Sequence, residues 1–500
     1  MAEKNHIISL LIMLPFAGAL LLALLRHDGI ARAVALGTAT LTFTASIFVF
    51  LFFDKKTHLF QFVESYDWLP QWSIKLTIGV DGISAPFMLL ITIVTLASIL
   101  LSWHQINRAA NAYYINILVL EGIMIGLFAS TNLIQFFIFW EAMLIPLFLL
   151  IGLWGGDKKR HAAFKFLLFT FGGSIFMFVA IMALYFMGYS SMDITRLSTS
   201  NIPHNLQPLF FWAFVIAFAV KIPLFPLHTW LPDTYYESPT PVTLILSAVL
   251  AKMGAYGLIR IALPMLPEAS VQYSRLLIAM SLATIIYGAY VALSQRDFKR
   301  LIAYSSMSHM GFIALGIFTL NTAGIEGGII QMINHAIVTG GLFICAGILN
   351  QRTGSYNTDG YGNLALRVPW FVTMFTILVL AGSGFPGLNY FVGEFLILSS
   401  AFDVSVYIGL IAIVGVLLGV TYKSWFYYRL ILKKHDVVFT EIKDLSLREI
   451  FMLAPFIISI FYLGVQPQAL LTYLHFSVAQ IMQRLSGHSQ TLTMFMEYIR

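Results

Sequence analysis

Long apolar runs, separated by short polar segments and repeated along nearly the whole sequence, restrict this chain to a membrane-spanning fold. A bilayer core of about 30 Å needs about 20 apolar residues per helix. Only 10% of the 500 residues are charged, whereas roughly 25% are charged in a soluble domain. We therefore predict an all-α integral membrane protein with about 14 transmembrane helices. The predicted spans start near Ile7, Ile30, Ile83, Ala112, Asn132, Ala162, Leu209, Val242, Leu276, Leu301, Gly324, Trp370, Val404 and Phe451.

The charged residues between these runs predict an orientation. An even number of spans places both termini on one side, and the loops of the opposite side carry more Lys and Arg, notably at residues 158–160 and 296–300. By the positive-inside rule, the termini lie outside the cytoplasm, in the cytoplasmic (inner) membrane of a bacterium. The formal net charge of +6 thus indicates topology and not nucleic-acid binding. Three lysines belong to neither side: Lys221, Lys252 and Lys423.

The single cysteine and the histidine spacing limit other functions. Cys345 lies in an apolar run, so neither a disulfide nor a Cys-ligated iron–sulfur cluster can form within this chain. No HExxH spacing occurs, so we expect neither a metal nor a cofactor in this chain. The run from Ile7 has no clear cleavage site after it, which favours a first span over a signal peptide.

Two connections between spans are long enough to contain structure of their own. Residues 54–81 alternate polar and apolar side chains, which is typical of a β-hairpin. Residues 435–449 alternate charged residues with Leu and Ile, which favours an interfacial helix.

Two spans contain a proline interruption of the same kind. Residues 221–226 read KIPLFP and residues 382–387 read GSGFPG. Proline removes a backbone donor and clashes with the preceding turn, so both helices should be broken. The interruptions fall in the seventh and twelfth spans, and an offset of five spans makes corresponding helices run in opposite directions. We therefore predict inverted repeats, as in transporter folds.

Charged residues deep within spans are the candidate functional groups. They are Glu141, Lys221 and Lys252. A charge at mid-bilayer costs roughly 2.5–3.5 kcal/mol on insertion scales, so each should face protein, water or a partner. A carboxylate favours the protonated form of a nearby lysine, so movement of Glu141 would switch Lys221 between holding and releasing a proton. The alternative is a static ion pair, while this depth argues against a snorkelling lysine.

Two histidines and one glutamate extend this set. His309 and His335 lie in consecutive spans, and imidazole can accept a proton on one nitrogen while it donates from the other. They would form a relay, although each alone would equally fit a hydrogen-bonded core residue. Glu394 follows Pro386 by eight residues. It would be a terminal proton acceptor or a charge beside a hydrated vestibule.

A second group of ionisable residues lies in the fourth span or close to predicted span ends. Such boundary positions are more often interfacial anchors than functional groups. The group consists of Glu121, Lys165, His228, Asp233, Glu237 and Glu326.

Several segments resemble the antiporter-like membrane subunits of respiratory complex I. The most characteristic segments are HTWLPDTYYESPTPV at residues 228–242 and LAKMGAY at residues 250–256. Three more are similar to the family: WEAMLIP at 140–146, AYSSMSHMG at 303–311 and GFPGLNYFVGEF at 384–395. The resemblance covers nearly all of the predicted spans.

The resemblance implies a subdivision of one membrane domain over residues 1–500. Spans 1–3 would occupy residues 1–111, the first five-helix repeat (spans 4–8) residues 112–263 and the second (spans 9–13) residues 275–430. Helices 7 and 12 would be broken, and the last span would cover residues 451–475. Two features resemble the M-type branch, which is called subunit 4 in mitochondria. One is glutamate at position 394, where the two paralogous pumping subunits usually place lysine. The other is the short segment after the last span.

The resemblance further implies a proton path and partners. It makes Glu141 and Lys221 the coupling pair and Lys252 the central proton holder, followed by the two histidines and then Glu394. The chain would be a non-redox subunit of a proton-translocating NADH:quinone oxidoreductase. NADH, FMN, iron–sulfur clusters and quinone would be bound by partner subunits. The two paralogous antiporter-like subunits would lie on either side of this chain, in contact with lipids.

Three other functions fit the same pattern. A subunit of a multisubunit cation/proton antiporter would use an ion gradient in place of electron transfer. A membrane subunit of an energy-converting hydrogenase or a formate-linked complex would share the proton path but not the electron donor. An assembly scaffold would use the buried charges as structural ion pairs.

Overall fold

Apolar helices form nearly the whole of the computed structural model, which describes residues 6–72, 74–189, 192–361, 364–433 and 442–487. Within these ranges, twelve helices are long and apolar enough to cross a membrane, so the chain is a multi-pass membrane protein. They are Ile7–Leu25, Asp28–Leu51, Ser84–Ser102, Ala110–Ala129, Leu133–Trp154, Lys159–Phe186, Thr240–Met265, Pro267–Ser294, Phe298–Phe318, Thr322–Thr353, Val406–Leu432 and Leu447–Val465.

Two shorter apolar helices correspond to the predicted broken spans. Gln207–Lys221 is followed by a helix at Trp230–Glu237, and Pro369–Gly382 is followed by a helix at Asn389–Val404. We call residues 222–229 the first break and residues 383–388 the second break. Counting each pair as one crossing would give the predicted fourteen spans. That count and the inverted repeat remain predictions.

A β-hairpin lies between the second and third helices, as predicted for residues 54–81. Its antiparallel strands are Gln61–Leu69 and Ile74–Val80. The carboxylate of Glu64 accepts hydrogen bonds from the backbone N–H groups of Ile8 (2.9 Å) and Ser9 (3.0 Å). These N–H groups have no partner within their own helix, so the hairpin caps the first span.

The remaining elements are short or lie after the last span. The helix Gln468–Ser486 follows Leu447–Val465, because Gln466 and Pro467 interrupt the segment predicted to be one span to residue 475. The predicted interfacial helix falls partly on residues 434–441, outside the described residues, and 442–446 are not helical. Short helices lie at Ile194–Thr199, Pro70–Trp72, Thr358–Gly360 and Leu364–Leu366.

The helices at the centre of the bundle are more buried than those at its periphery. The three helices that carry Lys252, His309 and His335 are buried almost throughout, whereas fewer than half of the residues are buried in several outer helices. The helix of Lys252 contains two π-helical segments, Leu246–Leu250 and Leu258–Ala262. Such segments are frequent at functional sites. The most buried helices therefore carry the predicted proton-binding residues.

Candidate functional site

Lys221 is the last residue of the helix before the first break. Pro223 cannot continue the helix, and the indole N–H of Trp230 donates to the freed carbonyl of Val220 at 2.9 Å. Lys221 is only 1% exposed. Its ammonium thus lies at the C-terminal end of a helix, where the backbone dipoles favour a positive charge.

Glu141 acts on Lys221 through space. The ammonium nitrogen of Lys221 lies 3.3 Å from the sulfur of Met143 and 4.5 Å from the ring centroid of Trp140. The two residues interact electrostatically, but no ion pair within 4.0 Å joins them. Among the described residues, Oε1 of Glu141 has no hydrogen-bond partner. Glu141 and Lys221 are therefore neighbours without an ion-pair contact, and their role as a coupling pair remains a prediction.

Lys252 connects this first break with the histidines. A Cβ atom at Gly254 would lie 3.1 Å from the Cβ of Lys221, so glycine lets the two helices pack closely. The ammonium of Lys252 donates to the carbonyl of Ser247 at 2.5 Å and lies 2.5 Å from Nδ1 of His335. Lys252 and His335 are both fully buried.

The histidines lead from Lys252 to the second break. The rings of His335 and His309 are 6.0 Å apart between centroids. Nε2 of His309 lies 2.9 Å from the ammonium of Lys423, and its Nδ1 lies 3.5 Å from Oε1 of Glu394. Lys423 also donates to the carbonyl of Gly382, the last residue before the second break. Four titratable groups therefore follow Lys252 in a buried row.

Buried polar atoms without protein partners surround these imidazoles. Among the described residues, they include atoms of Ser306, Gln331, Asn334, His335 and Asn389. Buried polar groups are normally hydrogen-bonded to protein or to ordered water. Water would therefore occupy this region and bridge the 6.0 Å between the two rings. Nowhere in the described ranges do three or more His, Cys, Asp or Glu residues form a metal-binding group.

Comparisons with known proteins connect this geometry with a family. A family model described as NADH:quinone oxidoreductase/Mrp antiporter, TM, matches residues 130–419, more than half of the chain. NADH-quinone oxidoreductase subunit M of Rickettsia prowazekii is 38% identical over 486 residues, which cover 95% of this chain and 98% of the relative. The chain belongs to the NADH:quinone oxidoreductase/Mrp antiporter family.

Further members of this family agree in sequence and in fold. NADH-ubiquinone oxidoreductase chain 4 of Marchantia polymorpha is 37% identical over 477 residues, 95% of this chain and 96% of the relative. A chain in the structure of respiratory complex I from Thermus thermophilus with bound NADH has a TM-score of 0.88 and 32% identity, covering 96% of this chain and 99% of that chain. The predicted antiporter-like fold and the M-type resemblance, which Glu394 indicated, are confirmed.

Several second-group residues tie helices together near span ends, as expected of anchors. Lys165 and Asp233 form an ion pair at 2.6 Å. Nδ1 of His475 lies 3.3 Å from the carboxylate of Glu326. These pairs join segments that are distant in sequence and lie apart from the row of groups described above.

Three other second-group residues have different surroundings. The carboxylate of Glu237 accepts from the N–H of Lys158 at 2.9 Å. His228 is buried against aromatic rings. Glu121 is fully buried in the middle of its helix, and neither carboxylate oxygen has a partner in the described part of the chain. The anchor interpretation is therefore wrong for Glu121, because its helix packs on all sides.

Lys423 is the main residue that sequence reasoning did not select. Its position as one of three lysines outside the loops indicates a buried charge, but no neighbouring motif distinguishes it. Its partners His309 and Gly382 are 114 and 41 positions away in sequence. The buried ion pair of Arg260 and Asp81 was missed for the same reason.

Proposed function

We propose that this chain is a proton-translocating membrane subunit of an NADH:quinone oxidoreductase. The observation that carries the proposal is the buried row from Lys252 through His335 and His309 to Lys423 and Glu394. Each of these side chains can bind and release a proton. Ionisable groups at this depth are costly, which is why they mark proton or ion pathways.

The proposed first transfer runs between Lys252 and His335, which are in contact. A proton moves from the ammonium of Lys252 to Nδ1 of His335, 2.5 Å away, which leaves a neutral amine and an imidazolium. The proton of Nε2 then passes through water to His309. The nearby carboxylate of Glu394 stabilises the positive charge on His309 and accepts the proton in turn. The neutral amine of Lys252 then takes up a new proton from the side of Lys221.

Charge–charge interactions couple this row of residues to redox events in other subunits. Glu141 lies near Lys221 without an ion-pair contact, so a charge that appears in a neighbouring subunit would change how Glu141 acts on this lysine. At an effective dielectric constant of about 20, two unit charges roughly 6 Å apart interact by about 3 kcal/mol. That energy changes proton affinity by about a hundredfold. A redox event in another subunit would thereby move a proton in this one.

The proposed setting follows from the relatives. This chain would work in a multisubunit membrane complex, between two paralogous antiporter-like subunits and in contact with lipid. NADH, FMN, iron–sulfur clusters and quinone would be held by the partner subunits. The membrane would be the bacterial cytoplasmic membrane, with both termini on the non-cytoplasmic side, and the proton would move outward.

Substitution of the coupling pair tests the proposal. Glu141→Gln and Lys221→Ala, each in the assembled complex, should reduce NADH-driven proton pumping into inverted vesicles by about tenfold or more, because both remove a charge that drives the first transfer. Pumping is measured by dye quenching and normalised to the amount of complex. Glu268→Gln and Lys56→Ala, which alter the same residue types away from the row, are the matched controls.

The outcomes separate the proposal from its alternatives. Full pumping in both coupling variants would refute it. Less complex, with normal pumping per remaining complex, would indicate a scaffold role. Pumping that requires an imposed sodium gradient and not NADH would indicate a cation/proton antiporter.

A further inference from the structure

A buried ion pair lies on the same helix as Lys252 but outside the row described above. Nη2 of Arg260 lies 2.6 Å from Oδ2 of Asp81, and both residues are buried. The guanidinium also stacks over the ring of Phe60 at 4.5 Å from its centroid. Asp81 is held in place because its Oδ1 accepts from the N–H and the hydroxyl of Ser84, both at 3.0 Å. Each member of the pair is therefore held in place by a contact of its own.

Arg260 is aligned with Lys252 through one intermediate tyrosine. Lys252, Tyr256 and Arg260 are spaced by four residues, so they lie on one helix face with about 6 Å of rise between neighbours. Tyr256 is fully buried, and it interacts with both members of the ion pair. It therefore separates Lys252 from the ion pair along this helix face.

Arg260 also lines a cavity of about 70 Å³, which has room for several water molecules. Its lining includes Arg260, His58, Thr195, Ser198 and Thr199. They come from the loop before the β-hairpin, the short helix Ile194–Thr199 and the helix of Lys252. A proton that left Lys252 along its own helix would reach this cavity after only two side chains.

Arginine is unsuited to such a transfer. Its guanidinium does not lose a proton in proteins, so it cannot pass one on as lysine or histidine can. A fixed positive charge in a pore also repels protons and other cations. We infer that Arg260, held by Asp81, is an electrostatic seal that prevents the proton on Lys252 from leaving through this cavity. The inference rests on the proposed role of Lys252 as a proton holder.

The opposite end of the row is lined differently. A smaller cavity of about 10 Å³ lies beside His309, Glu394 and Lys423, all of which can exchange a proton. The proton is therefore blocked along the Lys252 helix and free to move along the histidines. Such a seal makes transfer directional without a moving part.

Passive proton leak tests the seal without NADH or electron transfer. The complete complex is reconstituted into vesicles that contain a pH-sensitive dye, and the decay of an imposed pH gradient is followed. Arg260→Gln should speed the decay by roughly tenfold to a hundredfold, because it removes a unit charge from the protein interior. Arg260→Lys should leak at an intermediate rate, because lysine keeps the positive charge but can release its proton. The double substitution Arg260→Gln with Lys252→Ala should remove the added leak.

Asp81→Asn separates a seal from a structural ion pair. It breaks the same pair but leaves the positive charge, so the seal predicts no added leak. A structural role alone predicts equal leak in Asp81→Asn and Arg260→Gln, and that result would overturn the inference. Arg352→Gln is the matched control, since it breaks a partly buried 2.6 Å pair with Glu449 at the other end of the bundle.

The remaining outcomes are also decisive. An unchanged gradient in Arg260→Gln, or a similar leak in Arg352→Gln, would contradict the seal. If Arg260→Gln fails to assemble, Arg260→Lys and Asp81→Asn decide: a leak in Arg260→Lys alone supports the seal, and equal rates in the two variants overturn it. None of these results depends on pumping, so they are independent of the test with Glu141→Gln.

Discussion

The two broken helices hold their lysines in different ways. At the first break, Lys221 belongs to the broken helix itself, and its ammonium contacts a thioether sulfur and an indole ring. At the second break, the lysine comes from another span: Lys423 donates to the carbonyl of Gly382 and contacts His309. Both ammonium groups occupy the C-terminal end of a half-helix, where the dipole favours them. The thioether beside Lys221 is a weaker hydrogen-bond acceptor than the carbonyl and the imidazole beside Lys423.

This difference assigns separate tasks to the two breaks. A thioether is a weak acceptor, so the charge state of Lys221 depends on charges at a distance, above all on Glu141. Lys423 has a carbonyl and an imidazole within contact distance, so it can exchange a proton with His309. In the proposed function, the first break would therefore sense charge and the second break would transfer protons.

The largest expected effect is at the second break. Lys423→Ala should reduce NADH-driven pumping by about tenfold or more and also lower the amount of assembled complex, because the freed carbonyl of Gly382 loses its donor in a buried site. Lys423→Arg should restore assembly but not pumping, since arginine can donate to the carbonyl but cannot release a proton. Both quantities are measured on vesicles and on the purified complex. Normal pumping in Lys423→Arg would show that the second break is structural.

A smaller effect is expected where the first break meets Lys252. A Cβ atom at Gly254 would lie 2.6 Å from the carbonyl oxygen of Phe218 and 2.8 Å from a side-chain atom of Ile222. Gly254→Ala should therefore push the two helices apart, lower stability by roughly 1–3 kcal/mol and reduce pumping a few-fold. Thermal unfolding of the complex measures the change in stability, and the vesicle assay measures the change in pumping.

Gly172→Ala provides the control for this substitution, since a Cβ atom there meets nothing within 4 Å. It should leave stability and pumping close to those of the unsubstituted complex. Equal behaviour of the two alanine variants would show that close packing at Gly254 does not connect the first break with Lys252.

Local features of the sequence predicted the helices, both breaks and the hairpin. Pro223 and Pro386 interrupt their helices through local backbone chemistry, so the breaks could be located without a structure. The helix predicted near Leu276 starts at Pro267, because proline is well tolerated in the first turn. Glu141, Lys221 and Lys252 could be selected because burying a charge is costly wherever the helix lies.

Contacts between distant segments could not be predicted in this way. Nothing near Lys423 indicates His309 or Glu394, and nothing near Arg260 indicates Asp81. The distance between Glu141 and Lys221 likewise depends on how two helices pack, which no local pattern encodes. The π-helical segments around Lys252 arise from the same tertiary packing.

The central claim is that the proton crosses from Lys252 to the second break through the histidines. The most direct measurement is the number of protons moved per NADH oxidised by the assembled complex with His335→Gln. Glutamine can still accept a hydrogen bond from Lys252, but it cannot carry a proton. The account predicts fewer protons per NADH at a similar amount of complex, whereas an unchanged ratio would contradict it.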